Sequence, residues 1–243
     1  MTKLRPIGMN VKKQKLLVIA PHPDDEVIGC AGLIQRVKKE GGQVYVLFLT
    51  NGTTRDYSKY KKSTESGRLK EIEKVAKFLK FDNYTVLFTG NEYHLKLDQV
   101  GQHNLMNFIE RDTILSFEKI KPSIIAFPSL FSYNQDHKVA AYSTHASLRP
   151  GDPTFKHAIS TVLSYESPAD AWTLEHRNEV NCFVPLTKEE MTNKLKALSL
   201  YKSQMRKPPN PRSLEALKAL CVLRGSMSGS LYAEAFSIHK TIV

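Results

Sequence analysis

Histidine and acidic residues follow two apolar segments of this 243-residue chain. The first group contains His22, Asp24 and Asp25, and the second contains His137. Neighbouring carboxylates raise one another's pKa, and a divalent cation removes that cost. Two histidines and one carboxylate, with a fourth position left open for water, form a catalytic zinc site. The pattern therefore predicts a metal site with His22, Asp25 and His137 as ligands, and with Asp24 as the base that takes a proton from water.

Each group also has a simpler explanation when it is taken alone. Acidic residues at the N-terminus of a helix stabilise the helix dipole, which would account for Asp24 to Glu26. A single histidine such as His137 is more often a helix-start residue than a ligand. The combination of the two groups at the ends of separate strands favours the metal site. Zinc is the expected ion, and ferrous iron is compatible with the same ligands.

Apolar runs that alternate with helical patterns predict the frame that carries these residues. The predicted strands are 15–20, 43–49, 85–88, 123–127 and 160–165, and the predicted helices are 27–40, 65–80, 102–120 and 139–148. Such alternation indicates right-handed crossovers and a parallel sheet that is covered on both faces. We therefore expect an α/β fold of the Rossmann-like, three-layer α/β/α type with a mainly parallel sheet. Ligands of such folds bind beyond the carboxyl ends of the strands.

The chain is long enough for one α/β domain with a full core. We expect a single domain over residues 1–243, with the Rossmann-like core at 12–170. A helical and loop extension at 171–243 is expected to pack on this core. Its predicted helices are 188–204 and 211–223, and the proline-rich residues 207–211 form a rigid connector between them.

The composition narrows the class of protein. The 35 Lys and Arg residues outnumber the 24 Asp and Glu residues, for a net charge of +11. This charge indicates either a solvated basic face or an anionic substrate, such as a sugar that carries phosphate. We expect no transmembrane segment, since no run of about 18 apolar residues occurs. The basic N-terminus lacks the apolar stretch of a signal peptide, and three scattered cysteines form no disulfide framework, so we expect a cytoplasmic location.

The segment Ala20-Pro21-His22-Pro23-Asp24-Asp25-Glu26 resembles the signature of the PIG-L/LmbE-like N-acetylglucosamine deacetylase family. Weaker similarity continues in chain order through residues 50–52, 68–71 with Ala76, 136–137, 165–166, 201–204 and 232–236. The resemblance implies a Rossmann-like fold, one zinc ion, and hydrolysis of the acetamido group of a glucosamine-type sugar. It also implies His22, Asp25 and His137 as metal ligands, Asp24 as the general base, and Arg68 as a substrate-binding residue.

One position departs from the family pattern. Many members carry a histidine three positions before the final histidine, where this chain has Asn134. An asparagine amide can donate a hydrogen bond to an oxyanion, but it cannot act as an acid. We therefore predict Asn134 to be a catalytic residue that stabilises the oxyanion, while protonation of the leaving amine falls to Asp24.

A second hypothesis is a non-catalytic protein that binds nucleic acid or an anionic glycan through its basic surface. The chain lacks the aromatic and basic interleaving of an RNA-binding sheet, and it lacks a helix-turn-helix pattern. We therefore expect no nucleic-acid partner, and an amino-sugar substrate is the expected ligand. The other histidines show no paired spacing with the predicted site and are expected to be surface or core residues: His94, His103, His145, His157, His176 and His239.

Overall fold

The computed structural model describes residues 9–56, 61–174 and 180–242. The strands are β1 (Lys15–Ala20), β2 (Gln43–Asn51), β3 (Thr54–Asp56), β4 (Lys61–Ser63), β5 (Asn83–Thr89), β6 (Ile124–Pro128), β7 (Thr161–Tyr165), β8 (Cys182–Leu186) and β9 (Tyr232–Thr241). The helices are α1 (Asp25–Lys39), α2 (Glu65–Leu79), α3 (Gln102–Asn107), α4 (Phe117–Ile120), α5 (Gln135–Ser147), α6 (Lys188–Leu200) and α7 (Leu214–Met227). Short 3-10 turns lie at Leu97–Val100 and Pro168–Ala171.

A seven-stranded sheet with the order β5-β2-β1-β6-β7-β9-β8 forms the centre of the fold. Its first five strands are parallel, and β9 runs antiparallel to both of its neighbours. Strand β1 lies between β2 and β6 because the chain first extends the sheet on one side of β1 and then returns to the other side. The order of the strands therefore reverses between β1 and β6, and a ligand site is expected beyond the carboxyl ends of these two strands.

Helices cover both faces of this sheet. Side chains of β1 alternate between two buried clusters, with Leu16 and Val18 in one and Leu17 and Ile19 in the other. Residues of α1, α2, α6 and α7 complete the first cluster, whereas residues of α3, α4 and α5 complete the second. Parallel strands are buried on both faces, which explains their continuous apolar sequences. The predicted three-layer α/β fold is confirmed.

The C-terminal part of the chain contributes two strands that the sequence analysis did not predict. Strands β8 and β9 lie within residues 171–243, so the expectation that this segment contains only helices and loops is wrong. Strand β8 is an edge strand, where Pro185 is tolerated because no ladder partner needs its missing N–H. Strand β9 includes the buried Glu234, which interrupts its apolar pattern. Since β9 pairs with β7, we infer that the chain folds as one domain.

Several predicted helices have different bounds in the structure, and two of the differences have a clear local cause. The predicted helix at 102–120 divides into α3, a single π-helical turn at Phe108–Asp112, and α4. Both the amide and the hydroxyl of Thr113 donate to Phe108 O, at 3.3 and 3.0 Å, which ends the helix at this point. Helix α5 begins four residues earlier than predicted because the side chain of Asn134 caps it.

No helix in the described part of the chain is both long and apolar enough to cross a membrane. The three cysteines are free thiols, and Cys30 and Cys221 are buried.

Candidate active site

The three predicted metal ligands lie together beyond the ends of β1 and β6. His22 and Asp25 follow β1, and His137 lies in the first turn of α5. Asp25 Oδ2 is 3.4 Å from His22 Nδ1 and 3.2 Å from His137 Nε2. Two ligands that bind one tetrahedral zinc ion at about 2.1 Å lie about 3.4 Å apart, so the observed spacing fits this ion.

Unpaired ring nitrogens provide a second test of the metal site. His22 Nδ1 and His137 Nε2 are buried and have no hydrogen-bond partner among the described residues. Buried polar atoms nearly always have a partner, so two such nitrogens on either side of one carboxylate need an explanation. A shared cation supplies it, since neutral imidazole nitrogens and a carboxylate are zinc ligands. The donor set therefore fits a zinc ion.

A hydrogen bond with Asp136 orients the first of these histidines. His22 Nε2 lies 2.9 Å from Asp136 Oδ2, and the amide of Leu97 donates to Asp136 Oδ1 at 3.0 Å. Metal-binding histidines commonly use one nitrogen in this way, which leaves the other for the ion. Burial disfavours the charged form of His22, but the hydrogen bond with Asp136 and the nearby charge of Asp25 outweigh this effect and raise the pKa of His22.

The carboxylate of Asp25 is held as an anion by its surroundings. Burial alone would raise its pKa, but the close approach of the His137 and His22 rings lowers it well below the ordinary value. The backbone amide of His22 also donates to Asp25 Oδ2 at 2.9 Å. Asp25 is therefore the anionic member of the candidate metal site.

Asp24 occupies the N-cap position of α1 in an unusual conformation. Its backbone has φ 118°, a region that costs a non-glycine residue about 1–3 kcal/mol. An N-cap aspartate ordinarily accepts a hydrogen bond from the first helical turn. Within the described part of the chain, the Asp24 side chain makes no such bond, and both of its buried carboxylate oxygens lack a hydrogen-bond partner. Helix capping thus does not explain this carboxylate, which remains available to accept a proton.

Neighbouring groups fix the backbone of Asp24 and change the pKa of its side chain. The amide of Asp24 donates to Glu26 Oε2 at 3.1 Å, and the Tyr201 hydroxyl donates to Glu26 Oε1 at 2.6 Å. Burial raises the pKa of Glu26 to about 8 despite the bond from Tyr201. Burial also raises the pKa of Asp24, whereas the charges of Arg212 and Arg68 oppose that rise.

Arg68 lies beside this group but is fixed by protein partners. Its side chain is buried, and Nη1 donates to Gly52 O at 3.3 Å and to His94 Nε2 at 2.9 Å. His94 Nδ1 must then carry the hydrogen, which it can donate to Thr50 Oγ1 at 3.1 Å. Burial and the charge of Arg68 lower the pKa of His94 to about 3, so its ring is neutral. The ring also contacts His22 edge-on, with 5.5 Å between centroids. The spacing of His94 in the sequence does not relate it to the site, but in the structure this residue forms part of the wall of the site.

Asn134 lies next to the ligands and caps the helix that carries His137. Its side-chain oxygen accepts a hydrogen bond from the Asp136 amide at 2.9 Å. The amide nitrogen is therefore the end of the side chain that is left to donate. Asn134 lines a narrow cleft of about 20 Å³ together with Asp25, His137 and Arg212. Its role toward an oxyanion stays a prediction.

Comparison with known proteins identifies the family. A family model described as GlcNAc-PI de-N-acetylase, PIG-L, matches residues 17–147, which contain all of the predicted ligands. This chain belongs to the PIG-L family. It is also 25% identical over 227 residues to diacetylchitobiose deacetylase of Thermococcus kodakarensis, a match that covers 91% of this chain and 81% of that protein. The predicted family and enzyme class, a deacetylase that hydrolyses an amide, are confirmed.

Solved structures resemble this PIG-L chain in fold. The conserved protein TT1542 from Thermus thermophilus has a TM-score of 0.71 and 24% identity, and the match covers 95% of this chain and 96% of that one. GalB, the 4-carboxy-2-hydroxymuconate hydratase of Pseudomonas putida, has a TM-score of 0.70 and 16% identity, with coverages of 95% and 98%. A hydratase shares the fold, so the fold alone does not determine the reaction, and the site residues must.

A larger cavity opens beside the candidate metal ligands of this PIG-L protein. Its volume is about 340 Å³, which is within the usual range for small-molecule sites. Its lining includes His22, Arg68, His94, Arg206 and Arg212, and none of its described lining residues is a carboxylate. The cavity therefore presents several cations next to the candidate metal site.

Some site residues could not be recognised in the sequence. Asp136 and Tyr201 belong to segments that resemble the family, although their partners were unknown. His94 and Arg212 are isolated in the sequence, and no local pattern marks them. His176 lies outside the described residues.

Proposed function

We propose that this protein is a zinc-dependent hydrolase that removes the N-acetyl group from an N-acetylglucosamine-type amino sugar or its conjugate. The observation that carries the proposal is the convergence of His22 Nδ1, Asp25 Oδ2 and His137 Nε2 in a buried site. Beside them, the carboxylate of Asp24 has no hydrogen-bond partner in the residues that the structure describes. Ferrous iron is the alternative ion for this ligand set. The free cysteines agree with a cytoplasmic location.

When zinc is bound at these residues, it activates water and polarises the acyl oxygen of the substrate. Asp24 accepts a proton from the attacking water at one of its unpaired carboxylate oxygens. The same oxygen then gives this proton to the amine nitrogen as the C–N bond breaks. Asp136 holds His22 with Nδ1 toward the ion throughout, because its bond to Nε2 fixes the ring. The chain thus supplies one residue that acts first as base and then as acid.

The proposal is tested by separating Asp24 from its neighbour Asp25. We expect Asp24→Asn to bind one zinc ion per chain and to lose about 10²–10⁴-fold in kcat, which is the usual contribution of a general base. We expect Asp25→Ala to lose the metal. Elemental analysis of purified protein gives the metal content, and acetate release from a panel of N-acetylated amino sugars gives the turnover. A wild-type protein that binds zinc but releases acetate from none of these sugars would contradict the proposal.

The same experiment addresses the hypothesis of a non-catalytic basic protein. A binding protein for anionic polymers would show no acetate release, and its affinity would fall steeply with salt. The hydrolase requires turnover that depends on zinc and on Asp24.

A further inference from the structure

Arg212 reaches the candidate site from the C-terminal part of the chain. It lies between α6 and α7, directly before Ser213, which caps α7. The connector is held by backbone bonds from Asn210 to Lys207 O at 3.2 Å and from Ser213 to Asn210 O at 3.0 Å. The amide of Arg212 also donates to Asn210 Oδ1 at 2.9 Å. The backbone of Arg212 is therefore anchored at the rim of the site.

The side chain of Arg212 lies between the two spaces of the site. It lines the narrow cleft that contains Asp25, Asn134 and His137, and it also lines the larger cavity beside His22. Within the part of the chain that the structure describes, Arg212 is the one charged residue common to both linings. A substrate that spans both spaces would therefore lie beside this guanidinium.

The charge of Arg212 acts on the catalytic carboxylate without pairing with it. Asp24 exerts the largest effect on Arg212 and raises the pKa of the guanidinium, and burial opposes this rise. Both carboxylate oxygens of Asp24 nevertheless lack a hydrogen-bond partner from any described residue. The structure also shows no ion pair or side-chain hydrogen bond of Arg212 with any other described residue. A guanidinium has five N–H donors, so this group can donate to a substrate.

The other two arginines that line the larger cavity already have partners. Arg68 donates to Gly52 O and to His94, and Arg206 donates to Ser203 O and to Met205 O. The amide nitrogen of Asn134 is a neutral donor in the same region. Arg212 is thus the cation at the site whose donors are available in the described structure.

We propose that Arg212 is a further catalytic residue, whose guanidinium donates hydrogen bonds to the acyl oxygen of the substrate as that oxygen becomes an oxyanion. This inference rests on the proposed deacetylase function. Water adds to the acyl carbon, its proton passes to Asp24, and the electron pair of the C=O bond moves onto the oxygen that Arg212 contacts. When the C=O bond re-forms, the C–N bond breaks and its electron pair stays on nitrogen, which takes the proton from Asp24. The products are acetic acid, which then ionises, and a free amine.

The first test replaces Arg212 and measures turnover. We expect Arg212→Met to lower kcat about 10²–10³-fold, as loss of one oxyanion donor does, with unchanged zinc content. Arg212→Lys keeps the charge but not the planar donor geometry, so its kcat should lie between that of the wild type and that of Arg212→Met. Added guanidinium ion should partly restore kcat to Arg212→Met. The matched control is Lys207→Met, which removes an exposed cation from the same connector.

A second test does not depend on turnover. Methylphosphonate carries a methyl group on a tetrahedral anion, and it thus resembles an acetyl group after addition of water. We expect the zinc-loaded wild type to bind it at least about tenfold more tightly than Arg212→Met, by analogy with the loss of a charge-assisted hydrogen bond. Calorimetry on both proteins and on Lys207→Met measures this difference.

The outcomes separate this inference from the proposed function. A wild type that releases no acetate overturns the function, while methylphosphonate binding still tests Arg212. Equal kcat in the wild type and Arg212→Met, or equal methylphosphonate affinity, overturns the catalytic role. A loss confined to KM for sugars that carry phosphate also overturns it, because Arg212 would then recognise a substituent distant from the acyl group.

Discussion

A buried ion pair outside the active site gives the sharpest prediction about stability. Lys194 of α6 is fully buried, and its Nζ donates to Val27 O at 3.0 Å, to Ile28 O at 2.7 Å and to Glu234 Oε1 at 2.5 Å. Glu234 of β9 also accepts hydrogen bonds from the amides of Gly32 and Leu33, at 2.6 and 2.8 Å. The pair therefore bonds to backbone groups of α1, the helix that begins at Asp25.

The substitution Lys194→Met removes the cation and leaves a side chain of similar length. It leaves Glu234 as a buried charge without its cation, and two carbonyl groups of α1 lose a donor. Breaking one partner of a buried ion pair typically costs about 3–5 kcal/mol. For a protein of this size, each kcal/mol lowers Tm by about 2–4 °C, so we expect a decrease of roughly 6–20 °C.

Urea unfolding followed by circular dichroism measures this loss at pH 7, and calorimetry gives Tm. Lys202→Met is the matched control because Lys202 is exposed, and its effect should stay within about 0.5 kcal/mol. Adding Glu234→Gln to Lys194→Met should cost less than the sum of the single changes, since the unpaired charge is removed. A free energy of unfolding for Lys194→Met within about 1 kcal/mol of the wild type would refute the reasoning.

The pH dependence of this pair has a definite sign. Burial lowers the pKa of Lys194, but Glu234 outweighs it and raises the pKa above the ordinary 10.5. The stabilisation is therefore fully present below about pH 10.5, and it is lost as the pH rises through the folded-state value. The difference in the free energy of unfolding between wild type and Lys194→Met should accordingly narrow only when the urea titrations are made at strongly alkaline pH.

Substitutions at three further residues give testable outcomes, two at the candidate site and one elsewhere in the fold. Asn134→Ala should lower kcat by up to about 10²–10³-fold with unchanged metal content if the amide donates to the oxyanion; Asn134→Ser keeps a helix cap, and equal kcat in all three proteins would make the side chain a bystander. His94→Phe should lower the free energy of unfolding in urea by about 1–3 kcal/mol, because a buried N–H of Arg68 loses its acceptor. An unchanged urea midpoint would contradict the hydrogen bond between Arg68 and His94. Burial acts to raise the pKa of Glu110, but Arg149 and Lys156 outweigh it and lower this pKa. The stabilisation from the charged carboxylate is therefore present above about pH 4.5 and is lost as the pH falls through the folded-state pKa. Glu110→Gln should accordingly show less acid-linked loss of stability than the wild type between pH 7 and 3.

Continuous apolar strands made the parallel part of the sheet predictable. The central strands β1, β2 and β6 are largely buried, so their sequences are mainly apolar. The antiparallel edge follows a different rule, because Pro185 lies on an edge strand and Glu234 serves as a partner for Lys194. Neither residue fits the pattern of a strand until its tertiary contacts are known.

The same distinction applies to the site. His22, Asp24 and Asp25 are close in sequence, so their chemistry could be predicted from one segment. Arg212 and His94 reach the site through the packing of distant segments, and nothing in their local sequence relates them to Asp24. Asp24 itself shows a conflict between local structure and function, since it occupies a cap position without capping. Such conflicts are expected where a side chain serves chemistry.

The C-terminal segment thus positions the site as well as completing the sheet. Tyr201 at the end of α6 bonds to Glu26, which in turn accepts the amide of Asp24 in its strained conformation. Further along α1, Lys194 donates to the carbonyl groups of Val27 and Ile28, and Glu234 accepts from the amide of Gly32. The first turn of α1 carries Asp25, so a change in the packing of this helix should move a candidate metal ligand. Lys194→Met should therefore weaken zinc binding although it contacts no ligand, whereas the exposed Lys202→Met should not. Zinc affinity measured by competition with a chelator distinguishes these results, and equal affinities would show that α1 keeps its place without the ion pair.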